Sequence, residues 1–365
     1  MRELREERQL SQSHLAALSG LPARRLHLAS ERRVSTRLLL RGRTGRAGAV
    51  ARTRASDDEE RSCGRSTHTP RYAARVATVL ERIGAGRFVS FELWPPRSAE
   101  SASALEAALD ELAGLGPAFV AITYGAGGST RERTHDLVVR LVDSPMLPLA
   151  HLTCAAHGRA ELVELMERYR RAGVDNLLAL HGDPPLSATE ELPEGDLRYA
   201  VELVRLARDL GFPGVGVALH PEGHPAATSR EADWKHQAAK LREADFGLTQ
   251  FFHRAEDYFA LVEEMHARGA DAPVLPGIMP ITNVRQVERM AAMSGTSIPD
   301  ELASKLLAVA DHPDLVRQVG VEHATQLCRQ LLDGGAPGLH FFTMNRAATT
   351  VEVCGNLGWD SAAVR

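Results

Sequence analysis

Polar and ionisable side chains follow most of the apolar, strand-like segments of this sequence. The set holds carboxyl, imidazole, hydroxyl, amide and guanidinium groups: Glu92, Thr123, His151, Asp183, His220, Gln250 and Arg346. A carboxyl group in apolar surroundings can hold a proton for delivery, while amide and guanidinium groups recognise the polar and anionic parts of a ligand. The pattern therefore favours an active site at which these strand ends converge.

Eight short segments rich in Val, Ile, Leu and Phe recur along the chain. They are predicted to be strands at 88–92, 118–123, 147–153, 176–180, 214–218, 246–250, 273–278 and 338–343. Amphipathic helical stretches separate them, with apolar residues every three or four positions, as at Leu105, Leu109 and Leu112. This alternation predicts an α/β fold, a single (β/α)8 TIM-type barrel whose active site lies at the carboxyl ends of the strands. Extra helices are predicted before the last strand, over 299–332.

The length and the charge distribution fit one barrel with an extension. The chain has 365 residues, and a barrel of this kind needs about 250. Residues 1–75 contain 17 Arg, no Lys and 8 acidic residues, a net charge of +9, which leaves −13 for the rest because the whole chain carries −4. We predict a disordered, Arg-rich N-terminal extension over 1–71 and a catalytic barrel over 72–365.

A short stretch of the extension favours a second kind of function. Residues 10–21 resemble the first helix and turn of a helix-turn-helix with basic flanks, so a DNA-binding regulator acting through residues 1–35 is an alternative. The residues that follow lack the amphipathic pattern of a recognition helix, and no nucleic-acid partner is expected. An amphipathic stub, an Arg-rich targeting segment and a start codon placed too far upstream are the other interpretations.

The sequence gives little support for a membrane protein, a disulfide framework or a metal site. There is no run of 18 apolar residues, so no membrane association is expected. The cysteines, Cys63, Cys154, Cys328 and Cys354, are far apart and show neither a disulfide framework nor metal-ligand spacing. We predict a cytoplasmic protein without a structural metal.

Motifs at the strand ends resemble those of the methylenetetrahydrofolate reductase family, in the family's order. They cover about three quarters of the chain, from residue 88 to residue 357: 90–96 (SFELWPP), 123–130 (TYGAGGST), 151–154 (HLTC), 182–185 (GDPP), 221–225 (PEGHP), 249–252 (TQFF), 276–281 (PGIMPI) and 340–346 (HFFTMNR). The resemblance implies the same barrel and the bacterial catalytic-domain type. It also implies a homo-oligomer.

The reaction that the resemblance implies has two steps. NADH or NADPH gives hydride to FAD, and reduced flavin passes it to 5,10-methylenetetrahydrofolate, which yields 5-methyltetrahydrofolate for methionine synthesis. The folate step needs an acid, because protonating one bridging nitrogen opens the methylene bridge. Glu92 matches that acid, and Phe91, Leu93 and Trp94 would raise its pKa.

Four further positions match the family's folate site. Asp183 corresponds to an acid between flavin and folate, where it would orient the pterin and favour hydride transfer to a cationic acceptor. Gln250 and Gln286 correspond to residues that hydrogen-bond the folate. Arg346 suits the anionic glutamate tail.

The resemblance also implies an FAD site, distributed over several strand ends and helix starts. Its positions are Thr123, Tyr124, Ala126, His151, His181, Gly182, Asp183, Tyr199, Ala200, His220, His224, Ala227, Asp233, His236 and Lys240. Lys240 and His224 would face the pyrophosphate and Asp233 a ribose hydroxyl. Thr123 would also contact the nicotinamide.

Several residues depart from the family pattern. His181 stands where Arg is usual, and His220, His236 and His253 replace Tyr, Asn or a third aromatic, while Met290 replaces an aromatic associated with adenine stacking. Imidazole binds anions more weakly than guanidinium, so FAD affinity and the choice between NADH and NADPH stay open. A flavin-free folate reductase and a proline dehydrogenase-like FAD barrel are the enzyme alternatives.

Overall fold

Eight parallel strands form a closed barrel in the computed structural model of the protein, which describes residues 78–124, 128–155, 157–182 and 195–359. The strands are β1 (Phe88–Leu93), β2 (Val120–Ile122), β3 (Pro148–Thr153), β4 (Asn176–Leu180), β5 (Gly214–Leu219), β6 (Phe246–Phe251), β7 (Val274–Ile278) and β8 (Gly338–Phe342). Each strand pairs with its neighbours in sequence order, and β8 pairs with β1. The predicted barrel is confirmed.

Helices surround the barrel and also fill the insertion before the last strand. They are α1 (Val79–Gly84), α2 (Ala99–Ala113), α3 (Gly128–Val142), α4 (Arg159–Ala172), α5 (Ala200–Asp209), α6 (Arg230–Leu241), α7 (Ala255–Ala267), α8 (Val284–Ser294), α9 (Asp300–Ala308), α10 (Pro313–Asp333) and α11 (Ala347–Asn356). The helices α9 and α10 confirm the predicted insertion. The predicted extension over 1–71 lies outside the described residues.

Strand boundaries differ from the predicted ones by at most two residues, and those of β4 agree with the prediction. The largest difference is at β2, which was predicted over 118–123 but extends only from Val120 to Ile122. Ala118 and Thr123 still bond to β1 through their backbone N–H groups, which donate to the carbonyls of Val89 and Leu93. The polar residue predicted at this strand end therefore lies one position beyond it.

The apolar core has an inner and an outer part, which follow the alternation of side chains along each strand. Phe88, Phe119, Leu149 and Phe246 are among the residues that fill the interior of the barrel, whereas the other face of the strands packs against the helices. Gly216 makes room for the ring of Phe246, because a Cβ there would come within 2.3 Å of the ring. The interior of the barrel is thus filled by side chains and is not an open channel.

Helix α1 closes the amino-terminal end of the barrel. Val79 and Ile83 of this helix join the inner apolar cluster, and the backbone N–H of Val79 donates to the Asn176 side-chain carbonyl at 2.8 Å. A separate apolar cluster, which includes Met279, Ile281, Leu302 and Val316, holds α8, α9 and α10 beside the opposite rim. Since one end is closed, the carboxyl-terminal rim is the face at which a site can form.

Candidate active site

Glu92 is the last inward-facing residue of β1 and lies at the mouth of the barrel. Its neighbours along the strand, Phe91 and Leu93, are fully buried, and Glu92 itself is only 8% exposed. Burial raises the pKa of Glu92 to about 8, although a hydrogen bond from the side chain of Trp94 partly offsets this effect. Glu92 is therefore mostly protonated at neutral pH, as an acid catalyst must be.

A buried imidazole lies beside this carboxyl group. His151 Nε2 is 3.8 Å from Glu92 Oε2, a distance at which a salt bridge would form if both groups were charged. Burial, however, lowers the pKa of His151 to about 3 and keeps the imidazole neutral. The contact is thus between two neutral groups, and it does not hold Glu92 in its ionised form.

Two residues that sequence analysis did not single out lie beneath this pair. Ser90 Oγ is 2.9 Å from His340 Nδ1, and both residues are fully buried in the barrel interior. Burial and the nearby His151 lower the pKa of His340 to about 3. Within the described part of the chain, Nε2 of neither histidine has a hydrogen-bond partner. The period-2 pattern of β1 and β8, applied to inward polar positions, could have found Ser90 and His340.

The turn after β8 lies beside two of the residues predicted to bind folate, Arg346 and Gln286. Arg346 is exposed at the start of α11, and it lines a shallow depression together with Thr282, Phe342 and Met344. Gln286 lies on α8 and contacts the same turn, with Nε2 2.9 Å from the Met344 sulfur. The structure therefore brings these two predicted residues to one side of the mouth.

Gln250 lies at the end of β6 and is half-buried. Its side-chain carbonyl accepts a hydrogen bond from the backbone N–H of Phe251 at 3.0 Å. This contact fixes the orientation of the amide. The preceding residue, Thr249, uses its hydroxyl to accept from the backbone N–H of Gly277 on β7.

The loop between β5 and α6 is held from one face of α6. Asp233 Oδ2 accepts from the backbone N–H of His224 at 3.0 Å and from Gln237 Nε2 at 2.7 Å. Gln237 in turn pairs with both backbone groups of His220, and the N–H of Ala227 donates to the carbonyl of His224. Asp233 thus has a clear loop-forming role in addition to the ribose contact predicted from the resemblance.

A buried cation accompanies this loop. Burial lowers the pKa of Lys240 to about 8, with Asp233 opposing the shift. The pKa of His220 falls to about 3 because of burial first, then Lys240 and His224. The rings of His220 and His224 meet edge to face, with centroids 4.7 Å apart. At neutral pH this side of the mouth thus offers a lysine cation beside a neutral imidazole.

Thr123 and Tyr124 follow β2 at the same rim. The Tyr124 hydroxyl is 2.9 Å from His157 Nε2, and the Thr123 carbonyl accepts from the Thr134 hydroxyl. His157 is buried and lies 2.9 Å from Glu161. Sequence analysis did not predict the contact between Tyr124 and His157, because these residues are 33 positions apart. The predicted Ala126 and Asp183 lie outside the described residues.

Gly182 and His181 follow β4. Gly182 has a φ of 96°, and a Cβ at this position would come within 2.9 Å of the Cβ of Thr153 on β3. His181 is exposed, and its Nδ1 lies 2.8 Å from the carbonyl oxygen of Gly182. Close packing of backbone against β3 therefore requires glycine here.

The remaining predicted positions are at helix starts or on exposed surfaces. Tyr199 precedes α5 and is 60% exposed, and Ala200 is the first residue of that helix. His236 is exposed on α6, and His253 instead contacts Phe251 and His323. The four substituted histidines therefore do not come together, and among the described residues no three His, Cys, Asp or Glu form a metal-binding group.

No described helix combines the length and the apolar character that a bilayer crossing needs.

Comparison with known proteins identifies the family. The family model for methylenetetrahydrofolate reductase matches residues 79–358. The chain is 34% identical to 5,10-methylenetetrahydrofolate reductase of Pectobacterium carotovorum over 272 residues, which is 74% of this chain and 90% of the relative. Identity to the Escherichia coli enzyme of the same name is also 34%, over 273 residues and with the same coverage. A maize relative named methylenetetrahydrofolate reductase (NADH) 1 is 32% identical over 298 residues, which is 78% of this chain and 50% of the relative.

A solved structure supports the fold alone. An uncharacterised protein from Clostridium thermocellum, described as binding two copies of 5-methyl-5,6,7,8-tetrahydrofolic acid, superposes with a TM-score of 0.52 at 13% identity and covers 76% of this chain and 98% of its own. The family match favours a folate reductase over the proline dehydrogenase-like alternative. This chain belongs to the methylenetetrahydrofolate reductase family.

Proposed function

We propose that this protein reduces 5,10-methylenetetrahydrofolate to 5-methyltetrahydrofolate, with NADH or NADPH as the electron donor and FAD as the bound cofactor. The observation that carries the proposal is the buried Glu92 carboxyl at the centre of the mouth, with its pKa raised to about 8. The proposed product would supply methyl groups for methionine synthesis.

Glu92 supplies the proton that the folate half of the reaction needs. The methylene bridge joins two nitrogens and becomes a hydride acceptor once one C–N bond opens, which requires a proton on the departing nitrogen. A carboxyl that is still protonated near neutral pH can donate it and remain as a carboxylate. Because neutral His151 lies next to it, no neighbouring imidazolium competes for this role.

The residues at the mouth fit FAD as the cofactor. Lys240 offers a cation for the pyrophosphate. At Gly182, where there is no side chain, the backbone packs closely against Thr153 of β3 at the rim. Nδ1 of His220 and Nε2 of His151 are buried polar atoms without a partner among the described residues, as expected where a ligand completes the bonding. When bound, FAD supplies the hydride chemistry that no side chain can perform.

The folate is proposed to extend across the mouth from the Glu92 carboxyl group towards Arg346, which follows the turn after β8. Exposed Arg346 suits the glutamate carboxylates, since a guanidinium forms bidentate bonds to such groups. Gln250 and Gln286 are proposed to bind the folate through their amides. Asp183 keeps the role that the family resemblance implies, between flavin and pterin.

An anaerobic flavin experiment tests the proposal. The purified full-length protein should bind FAD, lose the flavin absorbance with NADH or NADPH, and regain it when methylenetetrahydrofolate is added, with 5-methyltetrahydrofolate as the product. Titration with each nucleotide shows the preferred donor. A protein that stays colourless after reconstitution with FAD, or whose reduced flavin the folate does not reoxidise, contradicts the proposal.

A further inference from the structure

The pairing between β1 and β8 ends at Glu92 and Phe342, yet contacts between the two segments continue beyond it. The Thr343 hydroxyl donates to the Glu92 carbonyl at 2.7 Å, and this contact is buried. Two residues later, the Asn345 side chain forms hydrogen bonds with both the N–H and the carbonyl of Trp94. The Trp94 N–H donates to Asn345 Oδ1 at 2.8 Å, and Asn345 Nδ2 donates to the Trp94 carbonyl at 2.9 Å.

Side chains from one turn thus hold the backbone at the proposed acid and two residues beyond it. Glu92 and Trp94 are held by Thr343 and Asn345, and the intervening Leu93 carbonyl accepts from the Thr123 N–H on the β2 side. Glu92 and Leu93, which end β1, and Trp94, which follows it, are therefore each hydrogen-bonded to a neighbouring segment. A carboxyl on this backbone has little freedom to move.

The turn that provides these side chains has a strained backbone. Met344 and Asn345 have φ values of 51° and 58°, and they are the only non-glycine residues with positive φ in the described part of the chain. Residues in this region persist where surrounding contacts over-determine the conformation, and such residues concentrate at functional sites. The contacts here are those to Glu92 and Trp94, together with the contact between Met344 and Gln286.

We infer that Thr343 and Asn345 are positioning residues for the catalytic acid: they clamp residues 92–94 to the turn after β8 and thereby fix the Glu92 carboxyl at the mouth. This inference rests on the proposed function, because it assumes that Glu92 is the acid. The strained turn would then couple the positions of Gln286 and Arg346, which are proposed to bind the folate, to the position of the Glu92 carboxyl group.

The clamp has a second consequence for the acid. The Trp94 side chain partly offsets the rise in the pKa of the Glu92 carboxyl and is itself 40% exposed at the rim. Holding the Trp94 backbone keeps the indole beside the carboxyl. A released loop would admit water, which stabilises the carboxylate and lowers the pKa of Glu92 towards its ordinary value.

Substitutions in the turn can separate positioning from folding. Asn345→Gly removes the amide but tolerates positive φ, so the backbone can keep its conformation. Thr343→Val keeps the shape and removes the hydroxyl, whereas Thr343→Ser keeps the hydroxyl and serves as the conservative rescue. Asn356→Ala, at the far end of α11, is the matched control for loss of an asparagine amide.

Two readouts test the inference. Infrared difference titration, with Glu92→Gln to assign the carboxyl band, reports the pKa of Glu92 without cofactor or turnover. Stopped-flow measurement follows the two half-reactions separately in protein reconstituted with FAD. We expect Asn345→Gly and Thr343→Val to lower the pKa of Glu92 by about one unit, and to slow the folate half-reaction about tenfold. Flavin reduction by NAD(P)H should stay within about twofold of the parent, and Thr343→Ser and Asn356→Ala should resemble the parent.

The outcomes distinguish the inference from the proposed function. If Glu92→Gln abolishes the folate half-reaction but the turn variants leave both the pKa and the rate unchanged, the clamp is not a positioning device and the proposed function stands. If Glu92→Gln leaves the folate half-reaction intact, Glu92 is not the acid and the inference fails, whereas the reduction of methylenetetrahydrofolate itself stands. Equal slowing of the two half-reactions by Asn345→Gly and Thr343→Val, without a pKa change, also overturns the inference.

Discussion

Glu92 Oε2 and His151 Nε2 lie 3.8 Å apart at the mouth of the barrel, and burial keeps both side chains uncharged near neutral pH. An ion pair would lower the pKa of the carboxyl and make it a poor proton donor. Here the desolvation of both groups prevents that. The same desolvation has a measurable consequence for stability.

Glu92→Gln should stabilise the protein increasingly as the pH rises. The pKa of Glu92 is raised from 4.5 to about 8 on folding, so its contribution to stability is fully present below pH 4.5 and is lost as the pH rises through about 8. A glutamine side chain does not ionise, so the variant does not lose stability in this way as the pH rises. Between about pH 5 and pH 8 the difference in Tm between variant and parent should therefore grow, and above about pH 8 it should level off, with a total free-energy change on the order of a few kcal/mol. Exposed Glu100→Gln is the control, and a pH-independent difference would argue against a raised pKa.

His253→Phe should improve stability most in acid. His253 is 4% exposed, its Nε2 has no partner among the described residues, and burial followed by the nearby His323 lowers its pKa to about 3. Its stability contribution is therefore present above the ordinary pKa of 6.5 and lost as the pH falls from there towards 3. Thermal denaturation at about pH 5 and pH 8 should show a larger gain in acid. Exposed His266→Phe should show none, and an equal gain at both values would contradict the assignment.

Gly182→Ala should destabilise the protein and weaken FAD binding. The substitution combines a φ of 96° with a Cβ only 2.9 Å from Thr153 Cβ, so β3 or the loop must shift. Gly269→Ala is a matched control, because Gly269 has a φ of 68° but nothing within 4 Å of an added Cβ. Strain alone should cost about 1 to 2 kcal/mol. Urea unfolding and FAD titration should show a larger loss for Gly182→Ala, and equal losses would refute the close-packing argument.

Lys240→Met should weaken FAD binding below about pH 8 and flatten its pH dependence. The pKa of Lys240 is lowered to about 8 by burial, so the parent loses the cation as the pH rises past that value. FAD titrations of the apoprotein should show affinity that falls with pH in the parent and changes little in the variant. Exposed Lys235→Met on the same helix is the control. An unchanged pH profile in Lys240→Met would remove Lys240 from the proposed pyrophosphate site.

The strands and most rim residues were predictable because they depend on local patterns. Short runs rich in Val, Ile, Leu and Phe located all eight strands to within two residues, and the motifs placed Glu92, Gln250 and Arg346 at or just beyond their ends. The supports of the site were not predictable in this way. Ser90 meets His340 and Trp94 meets Asn345 across about 250 positions of sequence, and only closure of the barrel brings them together. Burial, which sets the pKa values, is likewise a property of the folded chain.

Other sequence predictions stay predictions. The Arg-rich extension, its helix-turn-helix resemblance, Ala126 and Asp183 all lie outside the described residues. Homo-oligomer formation and a cytoplasmic location also remain predictions from the family resemblance and the composition. Deleting residues 1–70 should leave catalysis intact if the extension is separate from the barrel, and salt-dependent DNA binding that the deletion abolishes would favour the regulator alternative.

The most direct test of the account is a comparison of the two half-reactions in Glu92→Gln and the parent. The account predicts that NAD(P)H reduces the flavin of the variant at a rate within about twofold of the parent, whereas reoxidation by methylenetetrahydrofolate slows by at least about a hundredfold. Equal loss of both half-reactions, or an unimpaired folate step, would contradict the assignment of Glu92 as the acid.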